Sequence, residues 1–246
     1  MTAATFRRHA LLALASLSFI AAPAFAETVR GDGVMKSETR PVSGFTSIGL
    51  ALGAKVEVKL GNTEGLTIQA DENLLPLIET SVKHGALEIR PVRDHLSLSS
   101  NDIRIVVQAK AIDGLAIGGS GSITADALRA AKVKLDIGGS GSIDVKRLDA
   151  DRVEVSIGGS GDVKLAGTAK KFDASIAGSG DVVTPNLVAD EAAVTVAGSG
   201  ATKIAVRSRL DVTIVGAGAV GYYGDPQVSR TVLGSGAIKR LGALPL

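Results

Sequence analysis

The chain has 246 residues, of which 45% are hydrophobic and only 3% aromatic, with 27 basic and 25 acidic side chains and a formal net charge of +2. It has no cysteine, which excludes a disulfide framework, a thiolate nucleophile and a lipid-modified cysteine anchor. The near-neutral charge and the shortage of aromatic residues argue against a nucleic-acid partner, because that binding needs a basic stripe and stacking side chains.

The first 26 residues have the features of a signal peptide. Arg7 and Arg8 form a basic start, residues 10–22 are apolar, and Ala24-Phe25-Ala26 supplies small residues for cleavage. Cleavage before Glu27 removes two of the 27 basic residues, so the mature chain carries no net charge. We therefore expect export to the periplasm, the cell surface or the extracellular space, with no membrane span after signal removal.

Residues 27–110 form an irregular N-terminal β part of the same domain. Acids followed by an apolar run predict a short helical turn within residues 71–78, limited by Pro76 and capped by Asp71 or Glu72. Alternation of apolar and polar residues predicts strands. These strands are Lys55–Leu60, Leu66–Ile68, Leu87–Ile89 and Ile103–Val107.

Residues 111–246 are organised by a Gly-Ser-Gly tripeptide that returns every 18 to 20 residues, once in the variant form Gly-Ala-Gly. A fixed period near 20 is typical of a solenoid, in which each coil packs on its neighbours. We expect the glycines to be structural corner residues, because a corner needs backbone angles that a Cβ forbids and leaves little space between coils. They are Gly119, Gly121, Gly139, Gly141, Gly159, Gly161, Gly178, Gly180, Gly198, Gly200, Gly216, Gly218, Gly234 and Gly236.

Between the corners, apolar and often β-branched residues occupy every second position, which predicts strands with one buried face. The fold class is therefore all-β, a parallel β-solenoid (β-helix). The segment Leu50–Val56 is interpreted as a decayed copy of the repeat, with Gly53-Ala54 at the corner. One polar column recurs in register along the repeats: Asp136, Ser156, Ser175, Thr195, Thr213 and Thr231.

The order of these motifs resembles the auto-transporter adhesin head GIN domain family (DUF2807). The resemblance rests on a series of short segments followed by the serial Gly-Ser-Gly strands, and it covers nearly all of the mature chain. The segments are Phe45–Ile48, Val56–Val58, Ala70–Leu75 and Gly85–Ile89. The resemblance implies an exported β-helical domain of bacterial cell envelopes, and it supplies no catalytic residues.

Two motifs suggest ligand sites and are interpreted as structural. Gly216–Gly221 matches the G-x-G-x-x-G pattern of dinucleotide-binding loops, but its glycines keep the repeat register and Tyr222–Pro226 is a poor helix start, so no cofactor is predicted. Asp162 and Asp181 stack in one outward column and could share a cation; solvation of the exposed pair is the favoured alternative.

No catalytic or metal-binding residue is predicted. His84 and His95, the only mature histidines, are interpreted as solvated loop residues because two histidines fall short of a catalytic zinc site. Asp71 and Glu72 are adjacent, so they do not converge on one atom. The corner serines lack a nucleophile elbow and are interpreted as ladder residues; they are Ser120, Ser140, Ser160, Ser179 and Ser199.

The leading hypothesis is a non-enzymatic envelope or surface protein that binds a glycan or an envelope protein along its flat faces, or serves as a scaffold. The alternative is a polysaccharide lyase or hydrolase on a β-helix, which requires acids and bases that converge in a groove. The residues that would have to converge are Asp144, Asp162, Asp181, Lys164 and Arg147. Self-association through the β-edges at the ends of the solenoid is a further possibility.

Overall fold

The computed structural model describes residues 27–100 and 102–245, so the predicted signal peptide lies outside the described residues. The chain forms a parallel β-solenoid of about 6 turns, which confirms the predicted fold class. Its strands are β1 Glu27–Arg30, β2 Met35–Arg40, β3 Ser47–Leu50, β4 Lys55–Leu60, β5 Gly65–Asp71, β6 Ile78–Lys83, β7 Ala86–Pro91, β8 Leu96–Ser99, β9 Arg104–Ala109, β10 Gly114–Gly119, β11 Ser122–Ala125, β12 Leu128–Gly139, β13 Ser142–Gly159, β14 Asp162–Gly178, β15 Asp181–Gly198, β16 Ala201–Gly216, β17 Ala219–Tyr223, β18 Gln227–Gly234 and β19 Ala237–Gly242.

Each regular coil has three faces, as the burial along β13 shows. Inward and outward residues alternate, but two successive residues point outward at Lys146–Arg147 and again at Asp151–Arg152. A break in the period of two marks a place where the chain turns, so these pairs are corners. We call Ser142–Val145 and its counterparts face 1, Leu148–Ala150 face 2, and Arg152–Gly158 face 3. The third corner is the Gly-Ser-Gly tripeptide.

The two glycines of a corner are required for different structural reasons. The first has a positive φ, for example 131° at Gly159, and a Cβ there would overlap the carbonyl oxygen of Gly139 in the coil below. The second, Gly161, has no such angle, but a Cβ would lie 2.5 Å from Ile137 Cγ2 and 2.7 Å from the Gly141 oxygen. The Ser160 amide donates a hydrogen bond of 2.9 Å to the Gly139 carbonyl, so the corners are stacked through main-chain contacts.

The decayed repeat is confirmed. In the parallel register Leu50 pairs with Ile117 and Val56 pairs with Ile123, which places the segment one coil below the first Gly-Ser-Gly corner. A Cβ on Gly121 would lie 2.6 Å from the Leu52 carbonyl oxygen. The glycine ladder therefore begins against a corner in which Leu52 and Ala54 stand at the positions of the two glycines, and Leu52 has no positive φ.

The order of the coils in space differs from their order in the chain. Strands β3 and β4 pair on one side with β10 and β11, and on the other side with β7 and β9, which come later in the sequence than β3 and β4. After β9 the chain must therefore cross the β3–β4 coil to reach β10, which lies on the opposite side of that coil from β7 and β9. The Asp113 amide fixes that crossing by donating to the Thr46 carbonyl at 2.8 Å.

Antiparallel strands cover the N-terminal end of the solenoid. Strand β5 pairs with β9 and β2 pairs with β5, while β6 pairs with β7 through a turn at His84-Gly85. Both turn residues have positive φ, 50° and 79°, as a two-residue hairpin requires. A 3-10 turn at Leu75–Leu77 agrees with the predicted helical turn. This cover satisfies the backbone groups of the first coil edge.

Two buried threonines in the last regular coils give a matched test of core polarity. Thr202 lies between Val182 and Val220 in an inward column, and its buried hydroxyl has no hydrogen-bond partner among the described residues. The buried Thr184 hydroxyl donates to the Lys203 carbonyl at 2.9 Å. We expect Thr202→Val to raise the free energy of unfolding by about 1 kcal/mol, because an unpaired buried hydroxyl is replaced by a methyl group.

The control is Thr184→Val, which loses a hydrogen bond and should lower the free energy of unfolding by about 1 kcal/mol. Urea denaturation of both variants measures the difference. The same sign for the two substitutions would contradict the assignment of the two hydroxyls.

Candidate binding surface on face 3

Asp162 and Asp181 are direct neighbours in one outward row of face 1. One oxygen of Asp181 accepts a hydrogen bond from the Ala201 amide at 2.9 Å, so part of its carboxylate is already engaged by the main chain. Among residues 27–100 and 102–245 no group of three or more side chains has the arrangement of a metal site.

The other residues required by the lyase or hydrolase alternative do not converge at one point. Asp144 and Lys164 are neighbours in a second outward row of face 1, two residues further along each strand than Asp162. Arg147 lies at the corner beyond them, and its Nε approaches the Asp126 carbonyl at 3.5 Å. The structure therefore brings four of the five residues onto one sheet face and leaves Arg147 at its edge.

The remaining sequence candidates occupy turns and corners. His84 and His95 are both exposed. The G-x-G-x-x-G segment forms a corner that leads into strand β17, so the helix that would bind a pyrophosphate at this motif is replaced by a strand.

Asp71 has a different role from the predicted helix cap, and that prediction was wrong. Leu74 is the N-cap residue of the 3-10 turn, and no side chain caps it. The Asp71 carboxylate instead accepts the Gly33 amide at 2.7 Å, which ties the loop after β1 to the end of β5. Glu72 pairs with Lys36. No local pattern predicts this contact, because Gly33 and Asp71 are far apart along the chain.

We expect Asp71 to make the fold sensitive to acid. The Ser100 hydroxyl, and then the Gly33 amide, hold the pKa of this carboxyl below its usual value because they favour the charged form. A lowered folded pKa contributes stability that is fully present above the unfolded value of about 3.9 and is lost as the pH falls through the folded value.

Asp71→Asn should therefore be less stable than the wild type at pH 7, and the difference should shrink towards about pH 2. Urea denaturation at both pH values measures this, with Asp94→Asn as an exposed control. A difference that stays constant with pH would show that the carboxylate charge is not responsible.

The most regular polar feature of the surface is a row of hydroxyl groups on face 3. The strand register places one Ser or Thr of each coil directly beside the next, and all of them point outward. We call this set the hydroxyl row: Ser156, Ser175, Thr195, Thr213 and Thr231. Neighbouring strands are about 4.8 Å apart, so the row extends over about 19 Å.

Small apolar residues border the hydroxyl row on the side of the Gly-Ser-Gly corner. Their size increases towards the C-terminal end, from Gly158 through Ala177 and Ala197 to Val215 and Leu233. A flat strip of hydroxyl groups beside a strip of small apolar groups matches the two kinds of surface that a sugar ring presents. Among these side chains there is no aromatic ring for stacking.

Charged side chains border the hydroxyl row on the other side. Arg152 forms ion pairs with Glu154 at 3.0 Å and with Asp173 at 2.7 Å, and Arg209 pairs with Asp211 at 2.9 Å. A shallow depression of about 200 Å³ lies among these charges, with Lys171 in its lining. Ion pairs from Lys132 and Arg152 lower the pKa of Glu154, the hydrogen bond from Lys132 being the larger cause. The charges of this strip are therefore paired with one another.

The family model of the "Putative auto-transporter adhesin, head GIN domain" (DUF2807) matches residues 44–226, well over half of the chain. The chain belongs to this family. The match begins just before β3 and ends just before β18, so it spans the decayed repeat, the covering strands and most of the glycine ladder.

Solved structures share the fold of this family member. A protein from Bacteroides fragilis described as a putative adhesin is 22% identical, with a TM-score of 0.81 over 87% of this chain and 100% of its own. A protein from Parabacteroides merdae with the same description is 21% identical, with a TM-score of 0.68 over 88% and 100%.

A third structure, from Parabacteroides distasonis, is described as a putative lipid binding protein and is 25% identical, with a TM-score of 0.74 over 87% and 100%. No curated protein is significantly similar to the chain. In the part of the chain that the structure describes, no helix is both long enough and apolar enough to cross a membrane.

Proposed function

We propose that this family member is an exported, non-enzymatic, adhesin-like module that binds an extended polysaccharide along face 3. The observation that carries the proposal is the hydroxyl row, which offers one hydroxyl group per coil in unbroken register. A polymer of sugar units laid across the coils would meet the same hydrogen-bonding group at every step. Many weak contacts in series give a useful affinity without a deep pocket.

The adhesin-like character is supported by the family and by the adhesin-named proteins that share the fold. The absence of enzymatic activity is proposed on the arrangement of face 1, where Asp144 and Lys164 lie in flat sheet rows and Arg147 lies at the edge. A lyase or hydrolase needs such groups around one bond of the substrate, usually between walls that exclude water.

Export is proposed on the sequence features of residues 1–26. The test is to express the full chain in a Gram-negative host, isolate the envelope fraction and measure the intact mass. A protein that begins at Glu27 in that fraction is expected. A full-length protein inside the cell would contradict export.

Removal of hydroxyl groups from face 3 tests the binding surface. We expect Ser175→Ala/Thr195→Ala/Thr213→Ala to weaken binding to the best polymer of an envelope and host polysaccharide panel by roughly tenfold or more, because three hydrogen bonds are lost. Each substitution removes an outward hydroxyl and leaves the core unchanged. Affinity electrophoresis of Glu27–Leu246 in gels that contain the polymer measures the effect.

The matched control is Ser122→Ala/Thr124→Ala/Ser142→Ala, which removes three outward hydroxyl groups from face 1. This variant should bind as the wild type does. Equal losses in the two triple variants would contradict a site on face 3, and no saturable binding to any polymer would contradict the choice of polysaccharide.

A further inference from the structure

The two ends of the solenoid differ. Antiparallel strands cover the N-terminal end, but at the C-terminal end β18 pairs only with β16 and β19 pairs only with β17 among the described strands. The second edge of β18 therefore presents free N–H and C=O groups. Val232 and Leu233 on this strand are 38% and 63% exposed, whereas Val212 and Ile214 in the strand beneath are buried.

Two arginines replace apolar residues in the inward columns of this last coil. Val212 pairs with Arg230, and Tyr222 pairs with Arg240, so both arginines stand above core positions. The same column as Arg230 is apolar in every earlier repeat: Leu115, Leu135, Val155, Ala174, Val194 and Val212. The end of the core is therefore apolar at Val228 and Val232 and positively charged between them.

The two arginines differ in the hydrogen bonds and ion pairs that they form. Arg240 Nε donates to the Gly224 carbonyl at 2.6 Å and lies 3.8 Å from Asp225. Arg230, in contrast, has no carboxylate within ion-pairing distance among residues 27–100 and 102–245. A carboxylate supplied by another molecule could thus pair with Arg230 without displacing an existing partner.

The charges at this end disfavour a second copy of the chain. Lys239 adds a third cation to this last coil, and Asp225 lies 3.8 Å from Arg240. Pairing two identical ends would bring the cations of both copies together. Inward charges on an edge strand are a known protection against such pairing. The complementary partner is instead a strand that carries negative charge.

We propose that the free edge of β18 binds an extended acidic segment of another protein by strand addition. Main-chain hydrogen bonds to β18 provide affinity, and side chains at alternate positions meet the end of the core. The segment has the pattern apolar–x–acid–x–apolar, with its apolar residues above Val228 and Val232 and its carboxylate above Arg230. The segment would pair with the free edge of β18, whereas the polysaccharide would contact the outward side of face 3, to which β18 contributes Thr231.

Synthetic peptides that differ at one position test the proposal. The probes are TVTETVT and TVTKTVT, with blocked ends and an uncharged fluorophore, and fluorescence anisotropy with the mature chain Glu27–Leu246 measures their binding. We expect the glutamate peptide to bind about tenfold tighter or more, because it makes a charge-assisted hydrogen bond to Arg230. Arg230→Glu should reverse the order of the two peptides.

The matched control is Arg129→Glu, the same change of charge at an arginine whose side chain is 84% exposed and paired with Asp149. This variant should keep the preference for glutamate. Equal affinities for the two peptides, no saturable binding of either, or a dimer through this edge in sedimentation equilibrium would each overturn the proposal.

Discussion

Gly159→Ala is expected to lower the free energy of unfolding by about 3 kcal/mol or more. The residue has a φ of 131°, which an alanine adopts only with strain, and the new Cβ would overlap the carbonyl oxygen of Gly139. That oxygen accepts the Ser160 amide, so it cannot move without loss of a hydrogen bond between coils. Urea denaturation followed by circular dichroism measures the change.

The preceding glycine provides a control within the same corner. A Cβ on Gly158 would meet only the Ile137 oxygen at 3.9 Å, and the chain already has Ala177 and Ala197 at the equivalent positions. Gly158→Ala should therefore change the free energy of unfolding by less than about 1 kcal/mol. If the two substitutions had equal effects, the assignment of separate tasks to the corner glycines would be wrong.

Phe172→Ala is expected to lower the free energy of unfolding by about 3–5 kcal/mol. Phe172 is fully buried in the middle of the solenoid, beside Val153 in one coil and Ala192 in the next. The small Ala192 leaves the space that the ring fills, so truncation opens a cavity that neighbouring side chains cannot close. Denaturation with urea measures the loss.

Hydrogen exchange should locate the effect of Phe172→Ala in strands β13 to β15, because coils of a solenoid contact only their neighbours. The conservative control Phe172→Leu keeps most of the volume and should cost less than about 1.5 kcal/mol. A loss below 1 kcal/mol for the alanine variant would contradict tight packing at this position.

The regular part of the fold could be predicted because each repeat states the same pattern. The Gly-Ser-Gly corners and the inward apolar columns predict the solenoid. The strand register of Leu50–Val56 confirms that this segment is a decayed copy of the repeat. The three faces were also visible in principle, since Lys146–Arg147 and Asp151–Arg152 break the alternation. That signal is easily hidden, because a pair of polar residues also occurs within ordinary strands and loops.

The covering strands could not be predicted in the same way. Strand β2 pairs with β5 and Asp71 binds Gly33 over long stretches of sequence, and such contacts have no period. Strands β7 and β9 lie on the N-terminal side of β3 and β4 in the solenoid, although they come later in the sequence. These features depend on how the first coil edge is closed, which is a tertiary requirement.

The candidate surface was present in the sequence as a polar column, but the sequence did not distinguish it from other outward columns. What distinguishes this column is the strand register, which places Thr195 and Thr213 between a strip of apolar residues and a strip of paired charges. Arg230 was visible as a break in an apolar column. The proposed role of Arg230 in binding depends on the free edge of β18, and that edge follows only from the strand pairing.

Our proposal for face 3 is that the solenoid binds a polysaccharide without cleaving it. The most direct measurement is to incubate Glu27–Leu246 with each polymer of the panel, record saturable binding, and then determine the polymer's chain length and the number of new reducing ends. We expect binding to one polymer class with the chain length unchanged. Shortened polymer with new reducing ends would contradict non-enzymatic binding and favour a β-helix enzyme.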